Sequence, residues 1–398
     1  MNEIGNLRAT DGLFRGSGGR GSLIVISAIN IFKGGSLTIA REFLAHLDGA
    51  ISKADASIVV FCHSKQLYDG LNSRNVVWIE KPWSRKNWLC RLFYEYIWFW
   101  FWSRDKDVDC WVSLHDITPN VKAKRRYVYC HNPAAFYTGK TVWRYEPSFE
   151  LFRLFYAFLY QINIHKNDGV ILQQGWLRNA FLKKYGLHLS KVIVALPETK
   201  LIALQKVGVE VSGRSLTTVI FPAVPRPFKN IEVLLRAMAL LSDYPITLVV
   251  TITGTENKYA RDMRARAGSS KNVEFAGYLD QTKLSLLYDH AHAMVFPSKL
   301  ETWGLPMTEF KSLGRPIIAA ALPYAYETLS GYSNGYFFPP DDHVQLAALL
   351  RNLCENSLPA PPRLAKVSYD EPIARNWGEL LEWMNLKPAG GRSSHDSF

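Results

Sequence analysis

The chain has 398 residues, 48% of them hydrophobic and 21% charged, a balance that excludes a wholly disordered or fibrous protein and leads to an expectation of two domains. Forty-seven basic against 35 acidic residues leave a formal net charge of +12, which favours polyanionic partners. Zinc-finger spacing, a single-strand-binding aromatic signature and a basic heptad are all missing from the sequence, so nucleic acid is not expected among them.

Residues 1–20, with "RGSGGRG", read as a loose tail without the apolar core of a secretory signal, and export is not expected. The run "LIVIS" (23–27), the loop "AINIFKGGS" and the helically spaced "LTIAREFLAHL" predict strand, glycine loop, helix. Further apolar runs at 56–62, 110–114, 126–130 and 168–174 alternate with helical stretches. Such alternation implies a parallel sheet covered on both faces. Within this series, residues 83–106 hold five tryptophans among basic residues, and their longest charge-free apolar run, "YIWFWFW", is too short to span a bilayer. That block fits either an interfacial helix on anionic lipid or a helix packed in the core, and 149–166 leaves the same choice open.

Residues 196–215 lack periodicity and read as an interdomain link. A second series of strands follows at 217–223, 246–253, 293–298 and 315–321. "PAPPRL" (359–364) interrupts it before "EPIARNWGELLEWMNL", an amphipathic segment with Ile373, Trp377, Leu380, Leu381 and Trp383 on its apolar face. This helix is expected to cross back onto the first domain; ending the second domain is the alternative. The expected organisation is a tail (1–20), a first Rossmann-like α/β domain (21–200), a second (201–368), the crossing helix (369–387) and a tail (388–398). Five widely spaced cysteines (Cys62, Cys90, Cys110, Cys130 and Cys354), with no C-x-x-C pair, fit reduced thiols in a cytoplasmic protein.

The stretch "KLETWGLPMTEFKSLGRPII" (299–318) places Glu301 and Glu309 on either side of a Gly-Leu-Pro turn. Pro306 suits the first turn of a helix that closes at Gly314. Gly304 and Leu305 then stand at the helix N-terminus, where free amides favour a phosphate and a glycine lets the backbone approach it. Carboxylates beside such a site are suited to accept hydrogen bonds from hydroxyls flanking the phosphate, and a diphosphate flanked by hydroxyls is a nucleotide sugar.

Here the sequence resembles the retaining glycosyltransferases of glycosyltransferase family 4. Two glutamates separated by seven residues, the "FKGGS" loop, "YCHNP", "FPAVPRPFKN" and the Trp-containing last helix occur in that family's order. The resemblance implies a GT-B fold: two doubly wound parallel-sheet domains facing a central cleft, with the C-terminal helix crossing back. It implies that Glu301 binds donor-sugar hydroxyls, that Glu309 holds the ribose, and that Lys229 neutralises the diphosphate. The family's arginine five residues before that lysine is Val224 here, and Arg226 is its substitute. Gly34 and Gly35 match the first domain's glycine loop, and His131 the histidine near the donor sugar. Each of these has a plainer reading: a first-turn carboxylate for Glu309, a solvated lysine, a turn histidine, a simple glycine turn.

The implied activity is transfer of a hexose, with GDP-mannose or a UDP-hexose as donor, to a lipid-linked or saccharide acceptor in bacterial surface polysaccharide or O-antigen assembly. No metal or other cofactor is expected, since no Asp-x-Asp stands in a suitable place, and the enzyme is expected on the inner face of the membrane, held to its anionic surface. A sugar-nucleotide epimerase of the same architecture and a non-catalytic nucleotide-sugar-binding protein are the alternatives.

Overall fold

The computed structural model describes residues 22–51, 56–71, 75–137, 139, 143–196, 216–362, 364 and 366–386, so the two tails and nearly all of the 196–215 link lie outside the described residues. The chain divides into two compact units, one of Met1–Asn132, Ala157–Glu198 and Tyr369–Phe398, the other of Pro133–Tyr156 and Thr199–Ser368.

The first unit is built on strands β1 (Ser22–Ala28), β2 (Ala56–Cys62), β3 (Val76–Glu80), β4 (Val108–Ser113), β5 (Arg125–Tyr129), β6 (Gly169–Leu172), β7 (Val192–Ala195) and β14 (Ile373–Ala374). They form one sheet in the order β14-β7-β6-β5-β4-β1-β2-β3, and every pairing is parallel. Helix α1 (Gly34–Ile51) buries Ile39, Phe43, Leu44 and Leu47 on one face of this sheet, the spacing of a helical apolar stripe. Helix α12 (Trp377–Trp383) lies on that same core, with Trp377 edge-on to Phe43 at 5.9 Å and Arg125 donating to the Met384 carbonyl at 2.6 Å. The C-terminal helix therefore does return to the first unit, and β14, just ahead of it, extends the first sheet.

The aromatic block at 83–106 faces two ways. Helices α2 (Trp88–Phe93) and α3 (Phe99–Ser103) are joined by a single π-helical stretch, Tyr94–Trp98. Phe99 and Trp102 pack against Phe61 with ring centres 5.1 and 4.9 Å away, inside the core on the sheet's other face. Leu89, Phe93, Ile97 and Phe101 point outward and are 77%, 45%, 48% and 51% exposed. Helix α4 (Pro147–Gln161) also leaves Leu151, Leu154, Phe155 and Phe158 exposed while burying Phe149, Leu159 and Tyr160. No helix among the described residues is long and apolar enough to cross a membrane.

The second unit holds β8 (Thr217–Phe221), β9 (Ile246–Val250), β10 (Val273–Phe275), β11 (Ala293–Phe296), β12 (Ile317–Ala320) and β13 (Gly335–Phe338) in the parallel order β10-β9-β8-β11-β12-β13. Its helices are α6 (Ile231–Ala239), α7 (Lys258–Ala267), α8 (Gln281–His290), α9 (Leu305–Lys311), α10 (Pro323–Thr328) and α11 (His343–Cys354), while α5 (Gly175–Tyr185) belongs to the first unit. Residues 133–156, inside 21–200 by sequence, fall with the second unit because Tyr137 and Phe149 share an apolar cluster with Phe228 and Leu300. Strands β3, β7, β10, β13 and β14 are additional to those expected from apolar runs; β3 and β10 are only partly buried and β14 has two residues, so their patterns are weak.

Candidate active site

In an open parallel sheet, loops leaving neighbouring strands in opposite directions flank a crevice at the strands' carboxyl ends. In the second unit that switch point lies between β8 and β11, and both loops carry site residues. After β8 the chain makes a short helical turn, Pro227–Lys229, and Asn230 follows in the left-handed region at φ +57°. The Asn230 amide donates to the carbonyls of Pro340 at 2.7 Å and Pro297 at 3.3 Å, and the Lys299 amide donates to the Phe228 carbonyl at 2.7 Å. The bonds to Pro297 and Phe228 lock the two loops together, the bond to Pro340 ties them to the loop after β13, and across the pair Lys229 Nζ forms an ion pair with Glu301 Oε1. Both side chains are largely covered, 13% and 16% exposed. Lys229 also lies 5.6 Å from the Phe296 ring centre.

Glu301 leads into the Trp303-Gly304 turn and α9. The Trp303 indole donates to the Thr308 hydroxyl at 2.8 Å, and the Trp303 carbonyl accepts from Thr328. Gly304, at φ +82°, caps the helix in a backbone conformation that favours glycine, and a Cβ there would also displace the tip of Met307, whose Cε lies 2.6 Å away. Leu305 begins α9, Pro306 occupies its first turn, and Gly314 closes the segment at φ +68°. Glu309 lies within this helix and accepts from the Tyr288 hydroxyl at 3.0 Å. Burial raises its pKa above the usual carboxylate range, with the Tyr288 hydrogen bond acting the other way. Arg226 is placed differently from Lys229: its Nε lies 3.2 Å from Glu146 Oε1. Burial raises the Glu146 pKa and Arg226 opposes that rise.

In the first unit the switch point lies between β1 and β4. Gly34 opens α1 after β1, at φ +68° with open space around its Cβ position, and Gly35 follows in the helix. His131 follows β5. Its ring stacks on Tyr129 at 4.4 Å between centres and 16° between planes, and its Nε2 is buried with no hydrogen-bond partner among the described residues. Burial lowers its pKa, and the Asp116 carboxylate and the Leu114 carbonyl oppose that shift.

Asp116, which the motifs did not single out, is the anchor of that loop. It sits just past β4 at φ +76°, and its Oδ1 accepts from the His131 amide at 2.6 Å, the Asn132 amide at 3.0 Å and the Tyr160 hydroxyl at 3.0 Å. Beside it His115 Nε2 is 2.8 Å from the Ser27 hydroxyl, and His115 Nδ1 is 3.2 Å from Glu95. The Arg91 guanidinium donates to the His115 carbonyl at 2.8 Å, with its Nε 3.8 Å from Glu95. Burial pushes the Glu95 carboxyl up to about 8, against the pull of Arg91, and holds His115 well below its ordinary value. The only hint in the sequence is the pair His115-Asp116 at the end of the apolar run "CWVSL".

The pattern in the second unit is shared with known proteins. Residues 212–370 match the family described as Glycosyl transferases group 1. An uncharacterized glycosyltransferase of Methanocaldococcus jannaschii is 28% identical over 120 residues, 30% of this chain and 31% of that protein. The O-antigen chain mannosyltransferase RfbU of Salmonella typhimurium is 22% identical over 213 residues, 52% of this chain and 57% of the relative. The chain thus spans about a third to just over half the length of these curated relatives. Sucrose-phosphate synthase from Thermosynechococcus elongatus superposes with a TM-score of 0.60 over 84% of this chain and 90% of that one, at 15% identity, and shows the fold as GT-B.

Proposed function

We propose that this chain, whose residues 212–370 match the family described as Glycosyl transferases group 1, performs retaining transfer of a hexose from a nucleotide sugar to a lipid-linked or saccharide acceptor in bacterial surface polysaccharide assembly. The observation that carries this reading is the Lys229–Glu301 pair, which spans the two loops of the second unit's switch point. Lys229 faces the charge that builds on the departing diphosphate, and Glu301 accepts hydrogen bonds from the sugar. Glu309, kept in place by Tyr288, receives ribose hydroxyls, and the amides at Gly304 and Leu305 supplement Lys229. A carboxylate already covers Arg226, so its part in neutralising the diphosphate follows an exchange of partners with Glu146.

In the reaction, the acceptor oxygen bonds to the anomeric carbon on the face that the diphosphate leaves. The carbon–oxygen bond to the diphosphate breaks, its electron pair stays on the nucleoside diphosphate, and a diphosphate oxygen takes the acceptor's proton. His131, largely neutral at pH 7 through burial, is assigned to the donor sugar's hydroxyls, and Gly34 and Gly35 to the phosphate and acceptor. With Lys229 supplying the cation, the chemistry has no need of a metal, and chelation with EDTA should leave the rate within about twofold.

The outward row of Leu89, Phe93, Ile97 and Phe101, flanked by exposed Arg85, Lys86 and Arg104, suits an anionic membrane surface on the cytoplasmic side. GDP-mannose is the leading donor, supported by the likeness to an O-antigen mannosyltransferase.

The test is a panel of GDP- and UDP-sugars with lipid-linked acceptor fractions. One donor should stabilise the protein by about 2.7 kcal/mol at 100 times its dissociation constant, and its turnover should require acceptor. Glu301→Ala and His131→Ala proteins that still fold should lose turnover. Near-normal rates in both, or isomerisation of the donor without acceptor, would overturn the reading.

A further inference from the structure

A cavity of about 320 Å³ opens within the second unit beside the switch-point loops, sharing Pro227, Asn230 and Lys299 with them, while Lys229, Glu301 and Glu309 do not line it. Four cationic side chains do: Arg144, Arg236 on α6, Arg266 on α7, and Lys299. Tyr137 and Tyr145 complete the polar wall, and Pro227 and Val233 give it an apolar side.

The two acids that line it are already engaged. Glu232 Oε2 accepts from the Tyr259 hydroxyl at 2.6 Å, and Asp341 pairs with Lys299. Arg144 is held by Asp262 at 3.4 Å. Among the described residues that leaves two guanidinium groups without a carboxylate: Arg266 donates to the Tyr145 hydroxyl at 3.3 Å, and Arg236 makes no ion pair. Two forked, permanently charged donors set around one concavity match the geometry of a phosphate better than that of a single carboxylate. The volume lies at the small end of ligand pockets, the size of a monosaccharide phosphate.

We propose that this cavity is a second anion site that binds a compact phosphorylated sugar through Arg236 and Arg266, separately from the donor site. The inference concerns residues that the proposed transfer reaction does not use, and it stands or falls independently of that reaction.

The experiment titrates glucose 1-phosphate into the full chain by calorimetry, with glucose as the neutral control and UDP as the donor-site probe. Glucose 1-phosphate should bind saturably and glucose should not. Arg236→Gln combined with Arg266→Gln, both exposed positions, should weaken glucose 1-phosphate at least tenfold and leave UDP affinity within twofold. Lys229→Ala should do the reverse. Absence of saturable binding, a double variant within twofold of the parent, or loss of glucose 1-phosphate binding in Lys229→Ala would each overturn the second site. Failure of UDP to bind the parent would count against the proposed function instead.

Discussion

The two units use the same sheet logic and solve the placement of polar groups in opposite ways. In the second unit, Lys229 and Glu301 come from the two loops that leave β8 and β11, are 13% and 16% exposed, and pair directly with each other. In the first unit, His131 takes its position from Asp116, and beside them Ser27, Glu95, Arg91 and His115 bury a polar network contributed by β1, the aromatic segment and the end of β4. A partly solvated pair tolerates opening for a ligand. A network with Glu95 at 0% exposure does not, because each lost partner leaves a buried polar group unsatisfied. The second unit is therefore arranged for exchange of partners and the first for fixed geometry.

The sharpest way to break this contrast is at the exchangeable pair. Lys229→Ala should cut turnover by about 10²–10³, equivalent to roughly 2.7–4 kcal/mol of barrier, with the circular dichroism spectrum preserved. A comparable loss of folding stability would show that the pair is structural instead. Next in size, Asp116→Ala should cost about 1–3 kcal/mol in urea unfolding, since the His131 and Asn132 amides lose their acceptor, while the Tyr160 hydroxyl keeps the Asn132 carbonyl. A neutral result would mean that the His131 loop is held by other contacts.

A pH series sharpens the contrast further. Glu95 has a folded pKa of about 8, raised from 4.5, so its contribution to stability is complete below about 4.5 and is lost as pH rises towards 8. His115 is lowered, so below its ordinary value of 6.5 its contribution falls as pH falls, offsetting Glu95 there. Between about pH 6.5 and 8 the opposing His115 effect has ended: unfolding free energy should drop by up to about 1.4 kcal/mol per pH unit through Glu95, and Glu95→Gln should flatten that slope. An unchanged slope in the variant would remove Glu95 as its source.

The smallest expected change in stability is at the outward aromatic face. Leu89→Ser with Ile97→Ser should alter unfolding free energy by about 1 kcal/mol or less, since Leu89 is 77% and Ile97 48% exposed, yet reduce flotation with anionic vesicles several-fold. Equal flotation of parent and variant would assign that face to something other than a lipid surface.

Much of the second unit's site was legible because it is local. Gly304, Pro306 and Glu309 follow one another through a turn and a helix whose rules act over a few residues, and the backbone at φ +82° favours a glycine at 304. The alternation of apolar runs with helical stretches likewise announced two parallel sheets, because strands buried on both faces must be apolar throughout. The C-terminal return to the first domain was expected from an apolar stripe that includes Trp377, Leu380 and Leu381, with ending the second domain as the alternative.

Tertiary structure alone decided that Arg226 meets Glu146, that Asp116 holds the His131 loop, and that Glu95 and His115 share the interior. It also divided one aromatic block into a buried and an exposed face, with a π-helical stretch between the two helical pieces. Backbone geometry and apolar periodicity are properties of neighbours along the chain, so sequence expresses them directly. Pairing between distant polar groups depends on which strands become adjacent in the sheet, and that is settled only when the whole unit packs.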